Sequence, residues 1–291
     1  MSGTPQTWTV RTLLHWAKGW LERRGVASAR LDAELLLAHA MRCDRVRLYV
    51  EHDKPLTDEE LATVKPLLAR RAEREPVAHI LGVKEFYGRP FTVGPGVFVP
   101  RPETELLVQH ALESLPREPG LRALDLCAGS GAIGVTLAAE REALEVDLVE
   151  LSPEAAAFAR RNAEALGGGR AHVQVGDLFA PLGPPAQRYA AIVSNPPYIP
   201  AGDEPQLEPE ITRHEPRLAL YAGPRGLDVL QNVIAAAPRW LLPGGFFGVE
   251  LDPSHAAEVK SLCDAAGLIG ARVVQDLSKT DRFVIARQPP R

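Results

Sequence analysis

Between residues 122 and 286 the sequence alternates short apolar runs, rich in β-branched residues, with longer segments of helical periodicity. The candidate strands are, by residue number, 122–126, 145–150, 171–175, 189–193, 245–250, 271–275 and 283–286, and helices are expected near 132–141, 153–166, 227–240 and 253–266. This alternation predicts an α/β fold with a doubly wound, mostly parallel seven-stranded sheet. Because the last two strands leave no room for a crossover helix between them, we predict that they pair as an antiparallel hairpin.

The sequence before this region predicts a small helical bundle over residues 1–75. Thr9 and Thr57 are suited to cap helices, the latter in a capping-box pattern with Glu60, and another helix is expected after Ser28. Apolar stripes are expected to form the core of the bundle: Val10, Leu13, Leu14, Ala17 and Leu21, then Leu31, Leu35, Ala38 and Met41, then Leu61, Val64, Leu67 and Leu68.

Residues 76–100 are rich in glycine, proline and aromatic side chains and divide the bundle from the rest of the chain. Two short runs around a turn at Gly88-Arg89-Pro90 predict a β-hairpin that links the bundle to a larger domain over residues 101–291. Pro102 and the acidic residues that follow it suit the first turn of a helix. The larger domain is therefore expected to begin with a helix.

The composition excludes several classes of function. The 291 residues are 45% hydrophobic with a net charge of -4, and no apolar run is long enough to span a bilayer, so we expect a cytoplasmic protein without membrane contact. Separately, we expect a monomer. The three cysteines have no metal-ligand spacing and the eight histidines are scattered, which indicates neither a disulfide framework nor a metal site. Stable nucleic-acid binding is not expected either, because it needs clustered Lys and Arg.

The candidate strand 189–193 leads into Asn195-Pro196-Pro197-Tyr198. Two prolines remove two backbone donors and stiffen the chain, so this corner is rich in hydrogen-bond acceptors. The Asn195 side-chain oxygen and the Pro196 carbonyl are suited to accept the two N–H bonds of a planar NH₂ group, and Tyr198 is suited to stack on its plane. From these residues alone the alternative remains that the prolines terminate a strand or form a short polyproline segment.

A second motif follows the candidate strand 122–126. The small residues of Cys127-Ala128-Gly129-Ser130-Gly131 stand where a strand passes into a helix, and they allow a ligand to approach the backbone closely. Glu150 ends the next strand and Asp177 follows the one after it, where carboxylates can accept hydrogen bonds from ribose hydroxyls and from an adenine amino group. The Gly129-x-Gly131-x-x-Gly134 spacing also occurs in NAD-binding folds, and a tight turn without a ligand is the other alternative.

A nucleoside pocket beside an acceptor corner favours an amino-group methyltransferase over a hydride-transfer enzyme, which has no need of such a corner. The chain resembles the class I S-adenosylmethionine-dependent methyltransferases and, more closely, the release factor glutamine methyltransferases. The closer resemblance is carried by residues 76–82, 85–88, 95–105, 125–131, 194–198, 215–217 and 226–228.

This resemblance implies a Rossmann-like methyltransferase fold that uses S-adenosylmethionine and releases S-adenosylhomocysteine. The residues expected to bind the cofactor are Cys127, Ala128, Gly129, Ser130, Gly131, Glu150, Asp177, Leu178 and Asn195. Those expected to bind the substrate glutamine are Asn195, Pro196, Pro197 and Tyr198, and the expected catalytic residues among them are Asn195, Pro196 and Tyr198. Cys127, Ala128 and Leu178 depart from the residues usual in the family, which implies an altered cofactor affinity.

The implied reaction is methylation of the side-chain amide nitrogen (N5) of glutamine in the Gly-Gly-Gln motif of peptide chain release factors, in support of translation termination. A release factor is thus the implied partner, with the N-terminal bundle as its expected docking element. Two alternatives remain open at this point. One is methylation of an exocyclic amino group on DNA or RNA, since the same corner can serve a flipped base. The other is a binding module that holds the cofactor without turnover.

Overall fold

The computed structural model describes residues 7–184 and 189–290. The predicted domains 1–75 and 101–291 therefore contain residues, namely 1–6, 185–188 and 291, that lie outside the described ones. The described chain forms two compact units. The first contains the described residues up to Gly82 together with Glu208–His214, and the second contains the described parts of Val83–Leu207 and Glu215–Arg291. The functional division at residues 75 and 100 stays a prediction.

Helices and strands follow one another through the described residues. The helices are α1 (Val10–Glu22), α2 (Ala29–Ala40), α3 (Arg45–Val50), α4 (Asp58–Ala72), α5 (Val77–Leu81), α6 (Glu105–Ser114), α7 (Ala132–Glu140), α8 (Pro153–Leu166), α9 (Pro209–His214), α10 (Asp228–Ala236) and α11 (Ala256–Ala265). The strands are β1 (Val83–Phe86), β2 (Arg89–Thr92), β3 (Leu121–Leu126), β4 (Leu144–Glu150), β5 (Ala171–Val175), β6 (Tyr189–Ser194), β7 (Leu241–Glu250), β8 (Ile269–Gln275) and β9 (Asp281–Arg287). In the described parts of the chain, no helix is both long and apolar enough to cross a membrane.

The first unit is helical, and α1, α2 and α4 begin where the sequence predicts. Thr9 and Thr57 both form capping boxes, because each side chain accepts the N–H of the third helical residue while that residue's side chain accepts the N–H of the cap. A six-residue helix, α3, was missed; Asp44 caps it by accepting the N–H of Arg47 at 2.9 Å. Asp, a strong helix-capping residue, was the sequence signal for it.

The apolar stripe predicted for α2 is partly wrong. Leu31 is 42% exposed, and the buried apolar face consists of Ala29, Ala33, Leu36, Leu37, Ala38 and Ala40. Three consecutive leucines, residues 35–37, fit more than one helical stripe, so periodicity alone does not fix which side faces inward. The contacts that α2 makes with α1 and α4 decide the orientation instead.

The predicted hairpin exists, but its turn is one residue earlier than expected. Phe86 pairs with Arg89, so the turn consists of Tyr87 and Gly88, and Pro90 already lies within β2. Both turn residues have positive φ, 52° and 70°. A two-residue hairpin turn of this kind twists in the same sense as the strands that it joins, which explains why it replaces the expected Gly-Arg-Pro turn.

The second unit confirms the doubly wound, mostly parallel seven-stranded sheet. The strand order is β5-β4-β3-β6-β7-β9-β8, and β9 pairs antiparallel with both of its neighbours, as predicted for the last two strands. Alternate residues of β3 enter different cores: Ala123 packs in the cluster with α6, α7 and α8 residues, whereas Leu124 packs with α10 and α11 residues. The helices therefore cover both faces of the sheet. The carboxyl ends of its parallel strands are left uncovered, and a site can form there.

Candidate active site

The carboxyl ends of five neighbouring parallel strands meet along one edge of the sheet. Leu126 at the end of β3 pairs with Val149 of β4 and with Ser194 of β6. The residues that follow these strand ends are therefore neighbours across the sheet, and they include Cys127 and Asn195. Open α/β sheets bind their ligands at this edge, beyond the strand ends.

One cavity at this edge collects nearly all of the predicted site residues. Its lining contains every one of them except Gly131, namely Cys127, Ala128, Gly129, Ser130, Glu150, Asp177, Leu178, Asn195, Pro196, Pro197 and Tyr198. Gly131 has a φ of 81°, and a Cβ there would lie 3.2 Å from the Leu148 side chain and 3.1 Å from that of Val135. That position therefore serves close packing at the start of α7.

Glu150 fastens the glycine-containing loop to the end of β4. Its Oε2 accepts the Gly129 N–H at 2.8 Å, and its Oε1 accepts the Ser152 N–H at 2.8 Å. The residue is 8% exposed and lines the cavity. A carboxylate offers about four lone-pair sites, so each oxygen keeps a site for a further donor. This arrangement fits the vicinal diol of a ribose.

Every second residue of the loop before α7 has a positive φ, which suits small residues. Cys127, Gly129 and Gly131 all have positive φ, at 58°, 56° and 81°. A residue with a Cβ, such as Cys127, rarely adopts this conformation. Burial raises the pKa of its thiol, and the nearby Glu150 carboxylate raises it further. The thiol is thus neutral, as a packing residue rather than a nucleophile would be.

Asp125 lies beneath this loop and was given no role by the sequence analysis. Its Oδ2 accepts the Gly134 N–H at 2.8 Å, while its Oδ1 has no hydrogen-bond partner among the described residues. The side chain is fully buried, and burial raises its pKa to about 8, although the Gly134 N–H opposes that shift. The carboxyl group therefore tends to hold a proton near neutral pH.

The Asn-Pro-Pro-Tyr corner is held from two sides. On the side of β3, the Ser194 hydroxyl donates to the Leu126 carbonyl at 2.7 Å. On the other side, the Ile199 N–H donates to the Leu220 carbonyl at 2.9 Å, and the Ala222 N–H donates back to the Ile199 carbonyl at 3.1 Å. The pKa of the Tyr198 hydroxyl is raised by desolvation and also by the nearby Glu250 carboxylate, so the hydroxyl stays protonated.

Two residues that the sequence analysis did not assign are linked to the corner, the first directly and the second through the first. The Asn195 Nδ2 donates to the Thr104 Oγ1 at 3.3 Å, and the Thr104 hydroxyl donates to the Glu250 Oε2 at 2.6 Å. Thr104 belongs to the Arg-Pro-Glu-Thr-Glu segment that carries the family resemblance, and Glu250 ends a candidate strand as Glu150 does. These two positions were the available sequence signals. Nothing in the sequence, however, indicates that Thr104 and Glu250, so far apart along the chain, are in contact.

Arg101 and Glu215 connect two further motif segments beside the cavity. The Arg101 Nη2 donates to both carboxylate oxygens of Glu215, at 2.8 and 2.9 Å, and the guanidinium lies 4.6 Å from the centre of the Phe98 ring. Burial raises the pKa of Glu215, and Arg101 counteracts it. Phe98 and Arg101 line the cavity, as do Leu218 and Tyr221, and none of the four was predicted. Within residues 7–184 and 189–290, no group of three or more His, Cys, Asp or Glu side chains is arranged to hold a metal ion.

Comparisons with known proteins agree with this geometry. Residues 12–82 match the family model described as PrmC N-terminal domain, and residues 91–214 match the one described as Methyltransferase small domain. Among solved structures, a methyltransferase from Pyrococcus furiosus aligns with a TM-score of 0.52 at 17% identity, over 76% of this chain and 98% of that one, which supports the fold. The 16S rRNA N2 G1207 methyltransferase of Thermus thermophilus, solved with AdoMet and guanosine, aligns with a TM-score of 0.50 at 25% identity, over 72% of this chain and 50% of that one.

Relatives of nearly the same length carry one name. A release factor glutamine methyltransferase from Geobacter sulfurreducens is 45% identical over 99% of both chains. Proteins of the same name from Koribacter versatilis and Deinococcus radiodurans are 38% and 40% identical, over 97% and 96% of this chain and 99% and 98% of their own lengths. The chain therefore belongs to the release factor glutamine methyltransferase family.

Proposed function

We propose that this protein transfers a methyl group from S-adenosylmethionine to the side-chain amide nitrogen (N5) of the glutamine in the Gly-Gly-Gln motif of peptide chain release factors. The observation that carries the proposal is one cavity in which the Asn195-Pro196 acceptor corner lies beside the Glu150 and Gly129 cradle. The near full-length relatives of that name support the choice of substrate.

The cavity offers the groups that the cofactor needs. Glu150 would accept the ribose hydroxyls, Asp177 and Leu178 would lie against the adenine, and the loop 127–131 would lie against the amino-acid end. When bound, the cofactor supplies a methyl group made electrophilic by its positively charged sulfur. The task left to the protein is to hold a weak nucleophile in line with that methyl group.

Asn195 and Pro196 perform this task with acceptors alone. Resonance delocalises the lone pair of an amide nitrogen, so free glutamine is a poor nucleophile. The Asn195 Oδ1 and the Pro196 carbonyl accept its two N–H bonds, and Tyr198 packs against the amide plane. These bonds strengthen as positive charge develops on the nitrogen, which lowers the barrier more than it tightens substrate binding. No strong base is required, because the methylated nitrogen loses its proton readily to water.

The partner is a release factor, and the N-terminal helical unit contributes to its docking. A chain that lacks residues 1–82 should have a raised KM for the intact factor but not for a short Gly-Gly-Gln peptide. The peptide is the internal control, because an equal loss on both substrates would mean that the shortened chain is damaged. An unchanged KM for the intact factor would contradict the docking role. The enzyme acts as a monomer in the cytoplasm.

The experiment that tests the reaction is methyl transfer from labelled S-adenosylmethionine to a purified release factor. The same factor with its Gly-Gly-Gln glutamine changed to alanine, and a duplex DNA, serve as controls. Label on the intact factor alone supports the proposal. Label on the DNA would favour a nucleic-acid substrate, and equal label on both factors would mean that another residue is methylated.

Asn195→Ala tests the acceptor corner directly. We expect turnover to fall by about a hundredfold or more, as for the loss of one preorganised group at a developing charge, while S-adenosylhomocysteine binding changes far less. Asn232→Ala, which removes an exposed asparagine side chain from α10, is the matched control. Equal turnover by the two variants would contradict the mechanism, and cofactor binding without turnover by the wild type would favour a binding module.

A further inference from the structure

A chain of two hydrogen bonds runs from the acceptor corner into the protein interior. The Asn195 Nδ2 donates to the Thr104 Oγ1 at 3.3 Å, and the Thr104 hydroxyl donates to the Glu250 Oε2 at 2.6 Å. Thr104 is 3% exposed and Glu250 is 2% exposed. These two residues are therefore shielded from solvent, whereas Asn195 lines the cavity.

The sheet accounts for the meeting of these residues. Ser194 of β6 pairs with Val249 of β7, so the residues that follow, Asn195 and Glu250, leave the two strands side by side. Thr104 ends the short 3₁₀ helix Pro102–Thr104, which leads into α6, and α6 packs on β7. Thr104 and Glu250 thus lie on regular elements and Asn195 directly follows one, and side chains held in this way are positioned precisely in functional sites.

Donor and acceptor rules determine the direction of the chain. A carboxylate only accepts hydrogen bonds, so the single hydroxyl hydrogen of Thr104 is committed to Glu250. The Thr104 oxygen can then only accept from Asn195, which must present its NH₂ group. The carbonyl oxygen of the same amide is left as the group that faces the cavity. A flipped amide would bring two oxygen lone pairs together at Thr104.

We propose that Thr104 and Glu250 are positioning residues that fix the Asn195 side-chain amide with its oxygen toward the substrate nitrogen. This inference rests on the proposed function, because it concerns the same acceptor corner. Neither residue contacts the reacting atoms; both act through Asn195. Without them, the amide can present its NH₂ group to the substrate, and that group repels a nitrogen that also carries hydrogens.

The charge state of Glu250 supports the same conclusion and provides a readout. Burial raises the pKa of this carboxyl to about 7, against the Thr104 hydroxyl and the positive charges of Arg282 and Arg101, while Glu103 adds to the rise. The Tyr198 hydroxyl, whose pKa is raised by burial and by Glu250, stays protonated. Once protonated, Glu250 can donate to Thr104, whose own hydrogen is then free to turn to Asn195. The preferred amide orientation is lost as the pH falls through about 7.

The test compares Thr104→Val, Thr104→Ser and Glu250→Gln with the wild type on the intact release factor. We expect Thr104→Val to lower kcat about tenfold or more, the cost of one lost orienting hydrogen bond, with KM and S-adenosylhomocysteine affinity nearly unchanged. Thr104→Ser keeps the hydroxyl and should restore most of kcat. Thr136→Val removes another buried hydroxyl, which donates within α7 at 2.6 Å, and is the matched control.

The pH profile separates positioning from a purely structural role. The wild-type kcat should decline below about pH 7, whereas Glu250→Gln should give a lower kcat without that decline. If Thr104→Val does not fold, the comparison of the wild-type and Glu250→Gln pH profiles tests the inference by itself. Wild-type kcat in Thr104→Val, or an unaltered pH profile in Glu250→Gln, would overturn the inference while methylation by the wild type upholds the proposed function. Failure of the wild type to methylate the factor would overturn both.

Discussion

Gly226 lies directly against the backbone carbonyl of Tyr198: a Cβ at position 226 would come within 2.1 Å of that oxygen. Its φ of +73° is also in the left-handed region, which only glycine adopts without strain. The segment that contains Gly226 therefore supports the acceptor corner by a backbone contact that no other residue type permits.

Gly226→Ala should displace the corner and lower kcat for the release factor by about a hundredfold, since a shift of roughly 1 Å has that effect on aligned groups. Gly169→Ala is the matched control, because its φ is +79° and a Cβ there would meet nothing within 4 Å. That variant should lose only about 1 kcal/mol of stability, the cost of the left-handed backbone. Equal kinetic effects in both variants would contradict the supporting role of Gly226.

Glu150 is predicted to hold both the loop and the cofactor. Glu150→Ala leaves the Gly129 and Ser152 N–H groups without their carboxylate, so S-adenosylhomocysteine should bind about 10 to 100 times more weakly, as expected for charge-assisted bonds. Glu145→Ala changes the same strand at its far end and should leave the Kd unaltered. Calorimetric titration measures both, and matching affinities would exclude Glu150 from the cofactor site.

Strand ends were predictable from sequence, and with them much of the candidate site. Apolar runs that stop abruptly mark where Cys127, Glu150 and Asn195 leave the sheet, and parallel strands bring such positions to one edge. The chemistry of Glu150 and Asn195 at these positions suggested their roles, and the family resemblance indicated the cofactor and the substrate. The structure places the predicted residues in one cavity, apart from Gly131, whose position packs inside the unit.

Contacts between distant segments were not predictable. Asn195 lies beside Glu250 only because β7 is the neighbour of β6, and the alternation of strands and helices does not give strand order. The predicted buried face of α2 was partly wrong for a related reason. Three consecutive leucines fit several helical stripes, and the packing against other helices determines which stripe is buried. The turn at Tyr87 and Gly88 depended on the twist of the paired strands.

Arg101 and Glu215 should be energetically coupled. Arg101→Met leaves the buried Glu215 carboxylate without its two hydrogen bonds, so the free energy of unfolding should fall by roughly 1 to 3 kcal/mol. The double variant Arg101→Met, Glu215→Leu should recover part of that loss, because the uncompensated charge is gone.

Urea denaturation of the single and double variants gives the coupling energy. The exposed pair Arg225 and Glu258 is the control, and Arg225→Met should cost about 1 kcal/mol or less, as surface ion pairs do. Strictly additive losses at Arg101 and Glu215 would mean that the two side chains act independently.

Asp125 is predicted to make the protein less stable as the pH rises. Its pKa is about 8 in the folded chain, against 3.8 for an ordinary aspartate, so the folded state keeps a proton that the unfolded chain releases. The stability that this protonated group contributes is complete below about pH 4 and is lost as the pH rises through about 8. Asp125→Asn tests this prediction, because it carries no titrating proton and retains an acceptor for the Gly134 N–H.

Between pH 5 and 8 the Tm of the wild type should therefore decline more steeply than that of Asp125→Asn. Asp276→Asn provides the opposite sign, since the Thr280 N–H lowers the pKa of Asp276 and that carboxylate stabilises the fold only at higher pH. Parallel Tm curves for the wild type and Asp125→Asn would show that Asp125 is already ionised in the folded protein.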